Sequence, residues 1–205
     1  MIVLREHYKI LIDWKGKRYL GLDLDWDYEN CEVHLSMLGY VAEDLTIFRH
    51  KHLRKTQDQT YPHTKQNYCA KAQYAKATDE SPPLSKEHNV FFQEVTVTLL
   101  YYAREVDPTM LTSLGSTAEQ KSNPIEQTMQ KLKQLLDYTA SHTDAILTYQ
   151  ATDMVLAGHS NTSYLSEKKA RSRAGGNFFI SNNNAFPPNN DAVFKISKII
   201  KAIMS

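Results

Sequence analysis

The segment MVLAGHSNTSYLSEKKARSRAGGNFFIS, residues 154–181, contains residue types suited to binding a charged partner. Two apolar runs flank a polar stretch with four cations and a Gly-Gly pair; the cations are Lys168, Lys169, Arg171 and Arg173. This pattern predicts two neighbouring strands, and the cations predict contact with a phosphate backbone. The GHSNTSY run, where such a hairpin would place a catalytic site, contains no carboxylate.

A second basic segment runs from residue 49 to residue 76 and carries a net charge of +6, whereas the whole chain carries +1. The cations predicted to bind nucleic acid here are Arg49, Lys51, Arg54, Lys55, Lys65 and Lys71. Tyrosines lie between them at positions 61, 68 and 74, and their rings could stack on bases. The alternative interpretation is a solvated linker, which is the usual meaning of a charge run.

Three carboxylates alternate along one predicted strand, at Asp23, Asp25 and Asp27, and so share one of its faces. Carboxylates on one face could bind a divalent cation and support nuclease chemistry. The favoured interpretation is the solvated side of a half-buried strand, because neither a fourth ligand nor a catalytic turn accompanies them.

A zinc site could be drawn from three histidines and a cysteine in the second basic segment, namely His50, His52, His63 and Cys69. Their spacing matches neither a zinc finger nor a zinc ribbon, so no metal site is expected there.

The composition is that of an ordinary globular protein, with 41% hydrophobic and 23% charged residues. No apolar run is long enough to span a membrane, and charged residues interrupt the N-terminal region, so no signal peptide is expected. Two cysteines, Cys31 and Cys69, do not make a disulfide framework, and an intracellular location is therefore expected.

The elements around the first segment begin with a hairpin. Strict alternation from Tyr19 to Tyr28, a turn at Glu29-Asn30 and renewed alternation to Leu35 predict two strands. Ser36 is predicted to cap a helix with an apolar stripe through residue 48. Residues 50–86 show no periodicity and predict a basic linker or a surface loop.

Helices follow from residue 87. FFQEVTVTLLYYAREV is ambiguous between strand and helix, and its length favours a helix that buries Phe91, Val95, Leu99 and Tyr102. Asp107-Pro108 is predicted to open the next helix, and Asn123-Pro124 the one after it, ending near residue 141. Strands are predicted at 145–149, 154–157, 177–180 and 192–196. Helices and strands without regular βαβ alternation predict an α+β fold.

Four stretches in this order resemble segments of copia-type retrotransposon polyproteins. RYLGLDLDWDYENCEVHLSMLGYVAEDLTIFRH resembles the region after the catalytic palm of the reverse transcriptase, TLLYYAREVDPTML a later helix pair, and KLKQLLDYTASHTDAILTY the segment that follows. LAGHSNTSYLSEKKARSRAGGNFFIS resembles the opening hairpin of the attached ribonuclease H domain. The resemblance covers residue 19 to about residue 205.

The resemblance implies four units. Residues 1–49 would be the hairpin and helix at the end of the palm, 50–86 a basic linker or loop, and 87–144 thumb or connection helices. Residues 145–205 would be a truncated ribonuclease-H-like domain with an incomplete mixed sheet.

The resemblance also bears on activity. The family's first metal-binding aspartate, in the motif YSDADW, falls on Asn161, and an amide lacks the negative charge that binds Mg²⁺. The chain ends about where the helix with the second acid would begin, and the polymerase motif YVDD does not occur in it. The sequence therefore predicts a degenerate, catalytically inactive fragment without a cofactor, although intact members of the family use Mg²⁺.

The alternative is a module that binds RNA or DNA independently of sequence and without catalysis. Neither hypothesis predicts binding to a membrane or to a small-molecule substrate, and neither specifies an oligomeric state. An active nuclease that uses Asp23, Asp25 and Asp27 is the remote third hypothesis.

Overall fold

The computed structural model describes residues 7–9, 12–51, 55–62, 81–167, 171–183 and 188–200. The α-helices in this part of the chain are α1 (Tyr40–Ile47), α2 (Lys86–Glu105), α3 (Leu111–Ala118) and α4 (Glu126–Ser141). A 3-10 turn, Pro108–Met110, leads into α3. The strands are β1 (Arg18–Tyr19), β2 (Leu22–Asp27), β3 (Glu32–Ser36), β4 (Ile146–Gln150), β5 (Val155–Glu167), β6 (Arg171–Ser181) and β7 (Ala192–Ile199).

The strands form two sheets, one of four strands in the order β1-β2-β3-β4 and one of three strands in the order β5-β6-β7. Every neighbouring pair is antiparallel. The α+β prediction is confirmed at this level. Parallel pairing, which a mixed sheet would require, does not occur among the described strands.

The predicted hairpin is present as β2 and β3, but the alternating run is not one strand from residue 19. Leu20 and Gly21 form a turn with φ of 49° and 86°, which separates β1 from β2. The prediction that Ser36 caps a helix is wrong, because Ser36 continues the ladder and pairs with Asp23 and Ile146. The helix begins three residues later, after Gly39 at φ 79°.

The ambiguous segment after residue 86 is helical, as predicted. Ser85 accepts a hydrogen bond from the His88 backbone N–H at 3.3 Å and so caps α2. The buried face includes Phe92 where the prediction had Phe91, which is only partly buried. The fully buried side chains that surround this face are Tyr102, Leu99, Met110, Leu114, Leu132, Leu135, Leu136, Val41, Val95 and Val106. This cluster is the hydrophobic core.

Of the two predicted helix starts, one is confirmed. Asp107 caps the 3-10 turn by accepting from the Thr109 backbone N–H at 3.1 Å. Asn123 does not cap α4, because Ile125 is still extended and forms a bridge with Pro83. The backbone N–H of Glu126 donates to Pro82 O at 3.0 Å, so a distant segment delays the start of the helix.

The four units implied by the resemblance stay a prediction, but strands pair across the boundary proposed at residue 145. β4 pairs with β3, with Leu147 opposite Leu35, so residues 146–150 belong to the sheet of the hairpin. The three-stranded sheet begins only at β5. Its strands β5 and β6 extend well beyond the apolar runs that predicted them, through the polar GHSNTSY and basic residues.

The described parts of the 50–86 segment form no helix or strand before α2 begins at Lys86, apart from the bridge at Pro83. Residues 55–62 lie along α4. The backbone N–H of Gln57 donates to Ser141 Oγ at 2.9 Å, and Gln134 Nε2 donates to Gln59 O at 3.1 Å.

Candidate nucleic-acid interface

The register of the three-stranded sheet places mostly polar residues of all three strands side by side on one face, which we call the polar face. Residues paired across antiparallel strands share a face and lie about 5 Å apart. The three rows that make up the polar face are His159–Asn177–Lys195, Asn161–Gly175–Ser197 and Ser163–Arg173–Ile199.

The polar face forms one wall of a cleft of about 350 Å³, which we call the sheet cleft. The other wall is the start of the helical layer, at Pro108, Leu111 and Thr112. Thr112 Oγ1 lies 3.3 Å from Ser197 Oγ and so connects the two walls. The hairpin singled out by the sequence therefore does border a cleft, with Asn161 in its middle row.

The Asn161 side chain is exposed, and its Oδ1 accepts a hydrogen bond from the Thr162 backbone N–H at 2.7 Å. The described residues that line the cleft include no carboxylate, and no group of three or more potential metal ligands occurs in the described part of the chain. Mg²⁺ requires oxygen ligands that usually include carboxylates, and Lys195 and Arg173 would repel it. The residues present therefore do not fit the metal that the resemblance implies.

Lys195 lines the sheet cleft and was not among the cations predicted from the sequence. Its side chain is half-buried, and burial lowers the pKa of its ammonium, although Asp191, Glu105 and Asp107 partly offset this effect. None of the described carboxylates comes within 4 Å of the ammonium to form an ion pair.

The two predicted arginines of the hairpin connect the sheet to α3. Arg171 forms a bidentate pair with Glu119, at 3.0 and 2.6 Å. Arg173 is 7% exposed and donates to Ser116 Oγ at 2.8 Å and to Ser197 Oγ at 3.1 Å. The charge of Arg171 is thus matched within the protein, and the guanidinium of Arg173 is largely buried.

Two predicted cations of the other basic segment, Lys51 and Lys55, line a second cleft of about 520 Å³, which we call the helix cleft. It lies between the C-terminal ends of α1 and α4. Beside it, His50 Nε2 lies 2.9 Å from Asp137 Oδ1. Arg49, at φ 51°, is exposed where the chain leaves α1.

The remaining predicted residues lie outside the described part of the chain. They are the basic residues Arg54, Lys65, Lys71, Lys168 and Lys169 and the potential zinc ligands His52, His63 and Cys69. The interpretations placed on them stay predictions.

The alternating carboxylates of β2 have local roles. Asp27 Oδ1 accepts from the backbone N–H groups of Glu29 and Asn30, and the Asn30 backbone hydrogen bond lowers the pKa of Asp27. Asp23 Oδ1 lies 3.8 Å from Arg18 Nε, and Asp25 is exposed. These contacts are those of a turn and of a solvated strand face.

The opposite face carries the exposed apolar side chains of the sheet and is called here the apolar face, although Lys198 also lies on it. Its rows are Leu156–Ile180, Gly158–Phe178–Phe194 and Ser160–Gly176–Ile196. The Phe178 ring lies against Gly158 and Gly176, where an added Cβ would approach it to 3.3 and 3.4 Å. Leu156 is 67% and Phe194 57% exposed.

Searches for similar proteins gave no match to a family model, to a curated protein or to a solved structure. The resemblance to copia-type polyproteins therefore stays a prediction. Among the described residues, no helix combines the length and apolar character needed to cross a bilayer.

Proposed function

We propose that the chain is a degenerate fragment of a copia-type reverse transcriptase and ribonuclease H polyprotein that does not cleave nucleic acid. The observation that carries the proposal is the lining of the sheet cleft around Asn161, which supplies amides, hydroxyls and cations. Cleavage by a two-metal mechanism needs two divalent ions roughly 4 Å apart, which only a cluster of carboxylates holds.

The order of elements supports the same origin. A hairpin and a short helix precede a long helix, two further helices and a strand, and a long hairpin with a third strand follows. This is the order of the four stretches that resemble the family. The polymerase motif YVDD is absent from the sequence, so the polymerase activity of the family is not expected either.

The test is cleavage of an RNA–DNA hybrid in Mg²⁺ or Mn²⁺ by the chain and by Asn161→Asp. Neither protein should exceed a no-protein control, because one restored carboxylate cannot hold two metals. Cleavage by the unmodified chain would overturn both the assignment of Asn161 and the proposal of inactivity. Cleavage by Asn161→Asp alone would keep the assignment of Asn161 but overturn the argument that the lining of the cleft cannot hold the metals.

The second candidate function is binding of RNA or DNA independently of sequence. The observation that favours it is that Lys51 and Lys55 line the helix cleft and Lys195 lines the sheet cleft. Each phosphate contact releases counterions, so the affinity should fall steeply as salt is raised.

Fluorescence anisotropy with single-stranded RNA at several salt concentrations tests this function. Lys51→Gln and Lys55→Gln should each reduce the slope of log affinity against log salt by roughly 0.7–0.9. Lys15→Gln and Lys17→Gln, exposed cations outside both clefts, are the matched controls. If all four substitutions reduced the slope equally, RNA would be attracted by the overall charge of the protein. The helix cleft would then not be the RNA-binding site.

A further inference from the structure

The sheet cleft combines features that together describe a binding site for an anion. An antiparallel sheet that packs against helices normally turns its apolar face to them and its polar face to water. Here the arrangement is reversed at the cleft, because the polar face looks toward Pro108 and Thr112 and the apolar face carries the exposed Leu156 and Phe194. Asn161 and Asn177 remain exposed there, whereas Lys195 is half-buried, and partial burial of an ammonium group costs free energy unless it gains a partner.

The cation in the cleft is held in place by the register. Lys195 lies beside Asn177 in one row, and Asn161 lies in the next row across Gly175. An ammonium group and two side-chain amides offer hydrogen-bond donors, and in Asn161 the donor is Nδ2, since its Oδ1 accepts from the Thr162 backbone N–H. With no carboxylate among the described lining residues, the cleft favours a negatively charged ligand.

Gly175 leaves the floor of the cleft open. A Cβ at this position would meet only backbone oxygens, those of Asn161 at 3.7 Å and Ile196 at 3.9 Å, which are ordinary contacts. The backbone there would accept a side chain without strain, and the glycine leaves space between Asn161 and Ser197.

Lys195 has a physical reason to bind an anion. Burial lowers the pKa of its ammonium, and the nearby carboxylates stay beyond ion-pair distance. A half-buried ammonium lacks part of its hydration, and a bound anion would restore the lost electrostatic stabilisation.

We infer that the sheet cleft binds a phosphate group without a metal ion, through the ammonium of Lys195 and the side-chain amides of Asn161 and Asn177. This inference rests on the proposed nucleic-acid binding in one respect only: RNA or DNA would supply the phosphate group as a backbone phosphodiester. Inorganic phosphate shares the chemistry, and separate arms of the test distinguish the two.

The test follows backbone amide resonances of Gly175 and Ser197 by NMR during titration with inorganic phosphate, and with a single-stranded RNA of about ten nucleotides. Both ligands should shift these resonances, with and without EDTA. Lys195→Gln should weaken binding by about tenfold or more, the usual loss for one charge-assisted hydrogen bond.

Lys198→Gln is the matched control. Lys198 lies on the same strand, pairs with Ala174 and points to the opposite face, so its loss should change affinity by no more than about twofold. Gly175→Leu is a second variant, which keeps the charge of Lys195 and fills the cleft floor, and it should also weaken binding. Thermal unfolding of each variant confirms that it is folded.

The outcomes separate the two proposals. RNA binding that Lys195→Gln leaves unchanged would overturn the phosphate site and leave the proposed nucleic-acid binding standing. Phosphate binding that depends on Lys195, without any RNA binding, would support the site and reject the phosphodiester source. Equal losses in Lys195→Gln and Lys198→Gln, loss of binding in EDTA, or no shift in the unmodified protein would each overturn the site.

Discussion

Around α2, apolar side chains from α1, α2, α3 and α4 are buried against one another, and Phe92, Leu99 and Tyr102 are almost fully enclosed. In the three-stranded sheet, the buried apolar side chains among the described residues are only Ala192 and Ile199. Polar contacts hold this sheet instead: Arg171 and Arg173 bind α3, and Asn190 Oδ1 accepts from the Gln150 backbone N–H at 2.7 Å. The helical region is thus stabilised mainly by the hydrophobic effect, and the sheet by directional hydrogen bonds.

The difference teaches where each region tolerates change. Apolar packing loses free energy whenever volume is removed, whereas a polar contact loses most when one partner is left buried alone. Substitutions that probe each kind of contact can therefore confirm or break the comparison.

The largest effect is expected from Phe92→Ala, which should lower the free energy of unfolding by about 3–5 kcal/mol because it leaves a cavity in the core. Phe194→Ala, the same substitution on the apolar face, should lower it by about 1 kcal/mol or less because the ring is mostly exposed. Urea unfolding followed by circular dichroism measures both values. Comparable losses would mean that the apolar face is covered in solution, and the comparison between the regions would fail.

An intermediate effect is expected at Asp44, a polar residue in the apolar region. It is 8% exposed, its Oδ2 is buried without a hydrogen-bond partner, and desolvation raises its pKa to about 6. The fold therefore favours the protonated carboxyl, and ionisation destabilises it as pH rises from about 4 to about 6. Asp44→Asn should be more stable than the unmodified protein by about 2–3 kcal/mol above pH 7.

This advantage of Asp44→Asn should disappear below about pH 4, where Asp44 is protonated in both folded and unfolded chains. Unfolding midpoints of both proteins between pH 3.5 and 8 provide the measurement. Glu43 is not a suitable control, because its charge also raises the pKa of Asp44. Glu94→Gln, which removes an exposed carboxylate on α2, serves instead and should show little of this dependence. A constant difference between Asp44→Asn and the unmodified protein across the range would contradict the burial of Asp44.

The smallest effect is expected from the contact between Arg171 and Glu119. A double-mutant cycle with Arg171→Gln and Glu119→Gln should give a coupling free energy of about 1 kcal/mol, since the pair is bidentate but partly exposed. Raising the salt concentration should reduce the coupling. A coupling indistinguishable from zero would remove this pair from the contacts that hold the sheet to α3.

Local patterns predicted the helices and the strand hairpin well, because their signals lie within a few residues. The long helix with its buried stripe and the Asp107 cap were predicted from such signals. Helix starts failed where a distant segment intervenes: Ser36 is held in the ladder by Ile146, and Ile125 is held by Pro83. Neither partner can be read from neighbouring residues.

The candidate site shows the same limit. Asn161 was found from a motif, whereas Lys195 was missed because its place depends on the register between β6 and β7. That register shifts between Phe178 and Phe179, and the shift decides which face Lys195 occupies. A single sequence gives the alternation within a strand but not the partner residue on the next one.

Two contacts attach described parts of the 50–86 segment to a single turn of α4. Tyr61 lies under the Lys131 ammonium at 5.7 Å, and Ser81 Oγ accepts from the Gln127 backbone N–H at 3.3 Å. Lys131 and Gln127 are about one helical turn apart, so Tyr61 and Ser81 contact the same short stretch of α4. Local opening of this turn of α4 would therefore break both contacts at once.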